Sequence, residues 1–264
     1  MTQPIDYSQL FRLDHRQILV IGAGSGIGRE SAQALAAQGA HVIAADRLLA
    51  TAQETAAIIT DQGGSAEAFE LDVLDDEAVE AAAERFGQSA ALVFTAATNV
   101  RKRMADYTLD EFDRVVNLNL RSSFQLIRLF GQKFAENGGG SIISFASIRA
   151  QVVEPGQGVY AATKAGLVQL TKTAAAEYGD RNVRVNVISP GVVETPLTDQ
   201  IKATPEWYNA YANKAALGRW SRPDELAGAV VFLASDASTF VTGSTLMVDG
   251  GWTAIDGRYT PPTA

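Results

Sequence analysis

A tyrosine and a lysine four residues apart, Tyr160 and Lys164, are the pair whose types and spacing best suit proton transfer. Side chains at positions i and i+4 of a helix share one face, so both can act at one point. A phenol with a pKa near 10 is rarely ionised at neutral pH, and a close positive charge lowers that pKa by roughly one to three units. The pair therefore predicts a general acid and base, with Lys164 lowering the pKa of Tyr160.

The spacing Tyr-x-x-x-Lys also occurs by chance in many helices, so the residues before it matter. Ser147 precedes Tyr160 by thirteen residues and follows the apolar run 140–146, which is short enough to be an interior strand. A hydroxyl at the carboxyl end of such a strand faces the crevice in which open α/β sheets bind ligands. We therefore expect Ser147, Tyr160 and Lys164 to meet at a ligand site.

A glycine-rich turn near the start of the chain predicts a site for a dinucleotide. The apolar segment 17–21 runs into Gly22-Ala-Gly-Ser-Gly-Ile-Gly28, and a helical pattern follows as far as Gln38. The spacing is not the strict Gly-x-Gly-x-x-Gly fingerprint. The physics is nevertheless the same, because glycines let the backbone approach a pyrophosphate held at a helix N-terminus.

The second predicted strand, residues 40–45, ends at Asp46. A carboxylate there is placed to accept hydrogen bonds from both ribose hydroxyls of an adenosine. It would also repel a 2′-phosphate, because two like charges about 4 Å apart repel by about 4 kcal/mol at an effective dielectric of 20. The sequence therefore predicts NAD over NADP, although the adjacent guanidinium of Arg47 could offset part of the repulsion.

The remaining elements predict an α/β fold, a Rossmann-like doubly wound parallel sheet with helices on both faces. Further strands are expected at 65–71, 90–95, 140–146, 183–188 and 243–249, and helical segments alternate with them. We expect a single domain over residues 1–264. It begins with an N-terminal arm, 1–16, and ends with a tail, 255–264. The polar and aromatic segment 196–217, with Trp207, Tyr208 and Tyr211, suits a mobile lid over the substrate.

Two polar residues have alternative roles. Asp72, after the third strand, could accept a hydrogen bond from the adenine amino group or cap the helix that begins near Asp75. Asn119 lies within the long helical region 108–137, where an amide among apolar residues is either exposed or buried with an assigned partner.

Composition argues against several other functions. The 264 residues are 47% hydrophobic, no apolar run approaches the length of a membrane span, and the first residues lack the features of a signal peptide. We therefore expect a cytoplasmic protein. The chain has no cysteine and only two histidines, His15 and His41, so we expect no metal site. A net charge of −8 without a basic cluster argues against a nucleic-acid partner.

Together these motifs resemble the short-chain dehydrogenase/reductase family over nearly the whole chain. The matching positions, in that family's order, are Gly22-x-x-x-Gly26-x-Gly28, Asn119, Ser147, Tyr160-x-x-x-Lys164, Pro190-Gly191 with Thr195, and Val248-Asp-Gly-Gly251. The resemblance implies a seven-stranded Rossmann-like domain. It also implies an oxidoreductase that moves a hydride between a nicotinamide and a carbinol carbon.

The same resemblance assigns roles to the catalytic residues. Tyr160 would donate or accept the proton, and Ser147 would hold the substrate oxygen. Lys164 would bind the nicotinamide ribose, and Asn119 would position a water in the proton path. The resemblance also implies a homotetramer assembled through the helices near residues 108–137 and 159–179.

The residues expected to hold the dinucleotide come from the ends of several strands. Thr195 and the backbone at Val193 would hold the nicotinamide carboxamide, and Asp72 with Val73 would border the adenine. The full set is Gly22, Ser25, Gly26, Ile27, Gly28, Asp46, Arg47, Asp72, Val73, Ala96, Tyr160, Lys164, Pro190, Gly191, Val193 and Thr195.

Two stretches depart from the family's pattern. Ile21 stands where the family usually has threonine, so a hydroxyl contact in the first turn is lost. Phe94-Thr95-Ala96-Ala97 replaces the usual Asn-Asn-Ala-Gly, and the Cβ of Ala97 is expected to crowd the backbone near the adenine ribose. We expect activity to persist with altered cofactor affinity.

Four basic residues bear on the substrate. Arg101, Lys102 and Arg103 follow the fourth strand, and Arg149 lies shortly after Ser147. Any that faces inward could pair with a carboxylate, phosphate or sulfonate, and otherwise it is solvated. The segment Asn99-Val-Arg-Lys resembles the corresponding loop of gluconate 5-dehydrogenase-like members, which favours a sugar, a sugar acid or a polyol.

Two alternative functions remain open. One is a 3-oxoacyl-(acyl-carrier-protein) reductase, but such enzymes usually use NADPH and Asp46 argues against that cofactor. The other is a module that binds a dinucleotide without catalysis, which the complete set Asn119, Ser147, Tyr160 and Lys164 makes improbable.

Overall fold

The computed structural model describes residues 6–255, and its seven strands form one parallel sheet. The strands are β1 (Gln17–Ile21), β2 (His41–Asp46), β3 (Ser65–Glu70), β4 (Ala91–Phe94), β5 (Gly140–Phe145), β6 (Val183–Pro190) and β7 (Thr245–Val248). Their order is β3-β2-β1-β4-β5-β6-β7. The predicted fold class is confirmed, and each predicted strand lies within two residues of the observed one.

Nine α-helices connect or flank the strands in the described part of the chain. They are α1 (Gly26–Ala37), α2 (Leu49–Asp61), α3 (Asp76–Phe86), α4 (Leu109–Val116), α5 (Ser122–Glu136), α6 (Gly158–Tyr178), α7 (Asp199–Lys202), α8 (Pro205–Ala212) and α9 (Ala227–Ala234). None of them is long and apolar enough to cross a membrane. Within residues 6–255 no cluster of His, Asp or Glu is arranged to hold a metal ion.

Two hydrophobic clusters cover the two faces of the sheet. Successive strand residues point to opposite faces, so Leu19 and Ile21 pack with α3, α5 and α6 on one side. Ile18 and Val20 pack with α1 and α9 on the other. Strands buried on both faces explain why the sequence shows continuous apolar runs rather than alternation.

The strand order reverses beside β1. The chain builds β1, β2 and β3 outward in one direction and then crosses back to place β4 on the other side of β1. Loops that leave β1 and β4 therefore diverge, which opens a crevice at the carboxyl ends of these strands.

A π-helical turn, Asn117–Arg121, joins α4 to α5 inside the predicted helical region 108–137. Thr108 and Glu111 form a capping box at the start of α4. The hydroxyl of Ser123, in the first turn of α5, donates to the Asn119 carbonyl of the π turn at 2.8 Å. The wider turn places Asn119 inside the protein, where it is 1% exposed.

The N-terminal arm and the 196–217 segment are both packed against the body of the protein. In the described part of the arm, Leu13 is fully buried and Arg16 pairs with Asp236. The 196–217 segment contains α7 and α8, whose Tyr208 ring stacks on Trp220 with centroids 4.7 Å apart. The tail, 255–264, lies outside the described residues except for residue 255.

Candidate active site

A cleft of about 710 Å³ lies at the carboxyl ends of the strands, beside the point where the strand order reverses. All sixteen residues expected to hold the dinucleotide line it, together with Ser147. The volume lies in the upper part of the roughly 300–1,000 Å³ range of small-molecule and cofactor pockets.

The glycine turn has the geometry that a bound pyrophosphate requires. Gly22 and Gly26 have φ values of +83° and +51°, which favour glycine. A Cβ on Gly28 would overlap the carbonyl of Gly22, so this close approach also needs glycine. The N-cap residue of α1, Ser25, makes no side-chain bond to the helix. First-turn N–H groups of α1 therefore remain available to an anion at the cleft.

Thr95 makes a contact with the glycine turn that sequence reasoning missed. Its hydroxyl lies 3.3 Å from the carbonyl oxygens of both Ile21 and Gly22. The hydroxyl of Thr95, directly after β4, thus contacts the glycine turn. Position 21, directly before that turn, holds isoleucine instead of the family's usual threonine. Thr95 belongs to the stretch Phe94–Ala97, which departs from the family pattern, so the sequence did contain a hint of this contact. The contact itself forms only because β4 pairs with β1.

Asp46 is oriented by two backbone groups at the edge of the cleft. The N–H of Gly24 donates to its Oδ2 at 3.0 Å, and the N–H of Leu48 donates to its Oδ1 at 3.1 Å. The neighbouring Arg47 also lines the cleft. The two hydrogen bonds hold the carboxylate in one orientation at the cleft.

Asp72 lines the cleft but does not cap α3. Its carboxylate accepts from the N–H of Leu74 at 2.9 Å, whereas Asp75 is the N-cap residue and accepts from Ala78. The capping role considered for Asp72 is therefore wrong, because the N-cap position of α3 is Asp75, three residues after Asp72.

Lys164 is buried and held by the end of β5. Its ammonium donates to the Phe145 carbonyl at 2.7 Å. Removal from water disfavours the charged form and lowers the pKa of Lys164 to about 8. At neutral pH the lysine is still mostly protonated.

Burial raises the pKa of Tyr160 above its ordinary value of 10. The Ser147 hydroxyl and the positive charges of Arg101 and Arg149 act in the opposite direction without offsetting the desolvation. The prediction that Lys164 lowers this pKa is wrong for the structure. The Lys164 ammonium lies 5.6 Å from the centre of the phenol ring and is directed to a backbone carbonyl.

Ser147 follows β5 and lies beside Tyr160. Its hydroxyl accepts from the N–H of Arg149 at 3.1 Å and is close enough to the phenol to lower the pKa of Tyr160. The two hydroxyls and Lys164 are thus brought together at one wall of the cleft. This arrangement can hold a carbonyl or alcohol oxygen and exchange a proton with it.

The Asn119 side chain ties the loop after β4 to the helices. Its amide accepts from the N–H of Thr98 and donates to the Thr98 carbonyl, both at 2.9 Å, and it donates to Thr163 at 3.3 Å. All of its side-chain hydrogen-bonding groups therefore have protein partners, and Asn119 positions the cleft-lining residue Thr98. One lone pair of its Oδ1 has no donor among the described residues, so the water contact expected at Asn119 stays a prediction.

The four basic residues considered for substrate binding have different environments. Lys102 pairs with Glu111 and is exposed, and Arg103 is also exposed. Arg149 is 8% exposed and pairs with Glu154, so it is not a free anion receptor. Arg101 reaches the 196–217 segment, where it donates to the Leu197 carbonyl at 3.5 Å, and its buried Nε has no partner.

Comparisons with known proteins agree with this arrangement. A family model described as "Enoyl-(Acyl carrier protein) reductase" matches residues 22–253. D-threitol dehydrogenase of Mycolicibacterium smegmatis is 38% identical over 247 residues, which cover 92% of this chain and 95% of that protein. The 3-oxoacyl-(acyl-carrier-protein) reductase of Thermotoga maritima is 34% identical over 245 residues, 91% of this chain and 98% of that protein.

A solved structure extends the similarity to three dimensions. A gluconate 5-dehydrogenase from Burkholderia cenocepacia, in complex with NADP and tartrate, superposes with a TM-score of 0.88 at 32% identity. The match covers 94% of this chain and 98% of that one. The chain therefore belongs to the short-chain dehydrogenase/reductase family, oxidoreductases that act on CH–OH groups with a nicotinamide dinucleotide.

Proposed function

We propose that this protein is an NAD(H)-dependent oxidoreductase of a sugar, a sugar acid or a polyol, which interconverts a secondary alcohol and a ketone. The observation that carries the proposal is that Ser147, Tyr160 and Lys164 share one cleft with the glycine turn and Asp46. The proton-transfer residues and the expected dinucleotide contacts therefore border the same cleft. Hydride transfer requires this proximity of substrate and nicotinamide.

Each catalytic residue has a defined task in this proposal. The bound nicotinamide accepts or supplies the hydride. Ser147 donates a hydrogen bond to the substrate oxygen, and Tyr160 takes or gives the proton at that oxygen. Lys164, anchored to the Phe145 carbonyl, presents a positive charge to the nicotinamide ribose. Asn119 holds Thr98 and with it the opposite wall of the cleft.

The substrate class is proposed from Arg101 and from the relatives. Arg101 contacts the cleft-lining residue Leu197 and forms no ion pair among the described residues, so its guanidinium is available to a hydroxyl of a polyol. The guanidinium can also bind a carboxylate. The chain resembles both a D-threitol dehydrogenase and a gluconate 5-dehydrogenase, whose names indicate a polyol and a sugar acid.

NAD is proposed as the cofactor because Asp46 is fixed at the position expected to meet the adenosine ribose. The gluconate 5-dehydrogenase was solved with NADP, so the preference has to be measured on this chain. Tighter binding of NADPH than NADH by the wild-type protein would refute this part of the proposal.

A 3-oxoacyl-(acyl-carrier-protein) reductase is the second candidate, supported by the Thermotoga maritima relative. The two candidates differ in the expected cofactor and in the polarity of the substrate. The experiment is a screen of polyols, sugars, sugar acids and 3-oxoacyl thioesters with NAD(H) and NADP(H), read at the nicotinamide absorbance band. Turnover restricted to thioesters with NADPH would replace the first candidate by the second.

A further inference from the structure

Glu154 is the centre of a hydrogen-bonded cluster beside the catalytic residues. It lies in the loop that leads from Ser147 to α6, and three side chains donate to its carboxylate. Arg149 Nη2 and Gln157 Nε2 contact Oε2 at 2.5 Å and 2.7 Å. Tyr211, from α8 in the lid segment, places its hydroxyl 2.5 Å from both carboxylate oxygens. One carboxylate thus joins the catalytic loop to the lid.

The main electrostatic effect of Glu154 is to neutralise Arg149. The Arg149 guanidinium is packed between aromatic rings, 5.9 Å from the centre of Tyr211 and 5.6 Å from that of Trp252. A charge in such surroundings needs a partner of opposite sign. The backbone N–H of Arg149 also contacts the Ser147 hydroxyl, so this ion pair lies next to the reacting groups.

Arg101 has no such partner among the described residues. It forms no ion pair with an acidic side chain, and its Nε makes no hydrogen bond. The charges of Arg101 and Arg149 both reach the phenol of Tyr160, where each lowers the pKa. Arg101 donates to the carbonyl of the cleft-lining residue Leu197, and the Arg149 backbone contacts Ser147. Both cations therefore lie beside the cleft, and only Arg149 is paired with an acidic side chain.

We propose that Glu154 is a specificity-determining residue that cancels the charge of Arg149 and thereby limits how strongly the site attracts anionic substrates. This inference rests on the proposed function. With Glu154 in place the substrate experiences one unbalanced cation, Arg101, which suffices for a single carboxylate or a neutral polyol. Without it, Arg149 becomes a second anion receptor beside Ser147.

The test compares D-gluconate with neutral polyols, D-threitol and galactitol, as substrates of the full-length enzyme. Glu154→Gln keeps the size of the side chain and one acceptor oxygen but removes its charge. We expect the ratio of kcat/KM for D-gluconate to that for the polyols to rise about tenfold or more, which corresponds to about 1.4 kcal/mol. The gain should shrink as salt concentration rises.

Three further variants separate charge from shape. Arg149→Gln leaves Glu154 without its cation, so the same ratio should fall, and the double variant Arg149→Gln/Glu154→Gln should return towards the wild-type ratio. Tyr211→Phe breaks the link to the lid but leaves the ion pair, so the rates can change while the ratio does not. If Glu154→Gln alone fails to fold, Arg149→Gln and the double variant still test the proposal.

The outcomes distinguish this inference from the proposed function. A wild-type enzyme that oxidises none of these compounds contradicts the proposed function. A wild-type enzyme that oxidises them, with ratios unchanged in Glu154→Gln and Arg149→Gln, overturns the role of Glu154 alone. An equal change of ratio in Tyr211→Phe would also overturn it, because lid position rather than charge would then set the preference.

Discussion

Lys164 shows how a functional residue can oppose stability. Its ammonium is buried, and its only hydrogen bond within the described structure is to the Phe145 carbonyl. The drop of its pKa from 10.5 to about 8 corresponds to about 3 kcal/mol of destabilisation at neutral pH. We infer that this charge is retained for its action on the nicotinamide ribose.

This penalty predicts a pH dependence of stability. Between about pH 8 and 10.5 the unfolded chain binds more protons at Lys164 than the folded chain does, so wild-type stability should rise with pH relative to Lys164→Met. The difference between their free energies of unfolding, from urea titrations, should change by up to about 3 kcal/mol in favour of the wild type. A difference that stays constant across this window would show that Lys164 is not charged and buried as described.

Asp46 gives a second prediction at the residue scale. Asp46→Asn removes the negative charge at the expected ribose site, so the affinity for NADPH relative to NADH should rise about tenfold or more. Fluorescence titration of the reduced cofactors measures both affinities. Glu70→Gln, on the adjacent strand end outside the cleft lining, is the control and should leave the preference unchanged. Equal preferences in Asp46→Asn and the wild type would remove Asp46 from cofactor selection.

The sequence was sufficient to identify the catalytic residue types, but not to predict how their pKa values are shifted. The spacing of Tyr160 and Lys164 indicated a shared site. The direction of the Tyr160 pKa depends on burial and on Arg101 and Arg149, which come from other loops. Glu154 was missed for the same reason, because its importance depends on a contact with Tyr211 fifty-seven residues away.

At the scale of elements, β1 and β4 together build the glycine turn. The hydroxyl of Thr95, at the end of β4, contacts two carbonyls at the end of β1. We predict that Thr95→Val weakens NADH binding several-fold, by about 1 kcal/mol for the lost hydrogen bond. Thr95→Ser keeps the hydroxyl and should bind NADH like the wild type. Equal affinities for the Val and Ser variants, measured by fluorescence titration, would show that the hydroxyl does not support the turn.

Apolar runs and glycines made the strands and helix ends predictable, whereas the π turn at Asn117–Arg121 was not. Its wider backbone geometry depends on the buried amide of Asn119, which bonds to Thr98 and Thr163 from two other elements. The packing of the 196–217 segment was also not predictable from the sequence. Its aromatic residues were visible, but their packing on Trp220 depends on the way the chain returns after α8.

At the scale of the whole molecule, the sheet order follows from short connections and right-handed crossovers, so the fold could be predicted. The association of subunits was implied only by the family resemblance, because residue patterns alone do not show which apolar side chains stay exposed. Leu109, Phe112 and Phe124 on α4 and α5 are large apolar side chains with 80%, 44% and 50% of their surface exposed. Such exposure marks a surface available for association.

We propose a homotetramer that buries this surface. Sedimentation equilibrium at micromolar concentration should give four times the chain mass of 28.0 kDa. Phe112→Asp/Phe124→Asp should dissociate the assembly, because a carboxylate is costly to bury without a partner. A wild-type protein that sediments only as a monomer would contradict the proposal.

The central claim is that the Tyr160 hydroxyl exchanges the proton while a hydride moves in the same cleft. The most direct measurement is turnover of the best substrate by Tyr160→Phe, followed at the nicotinamide absorbance band, with NADH affinity measured on the same sample. We expect Tyr160→Phe to lower kcat by about 10² to 10⁴-fold and to retain cofactor binding. Turnover equal to that of the wild type would contradict it.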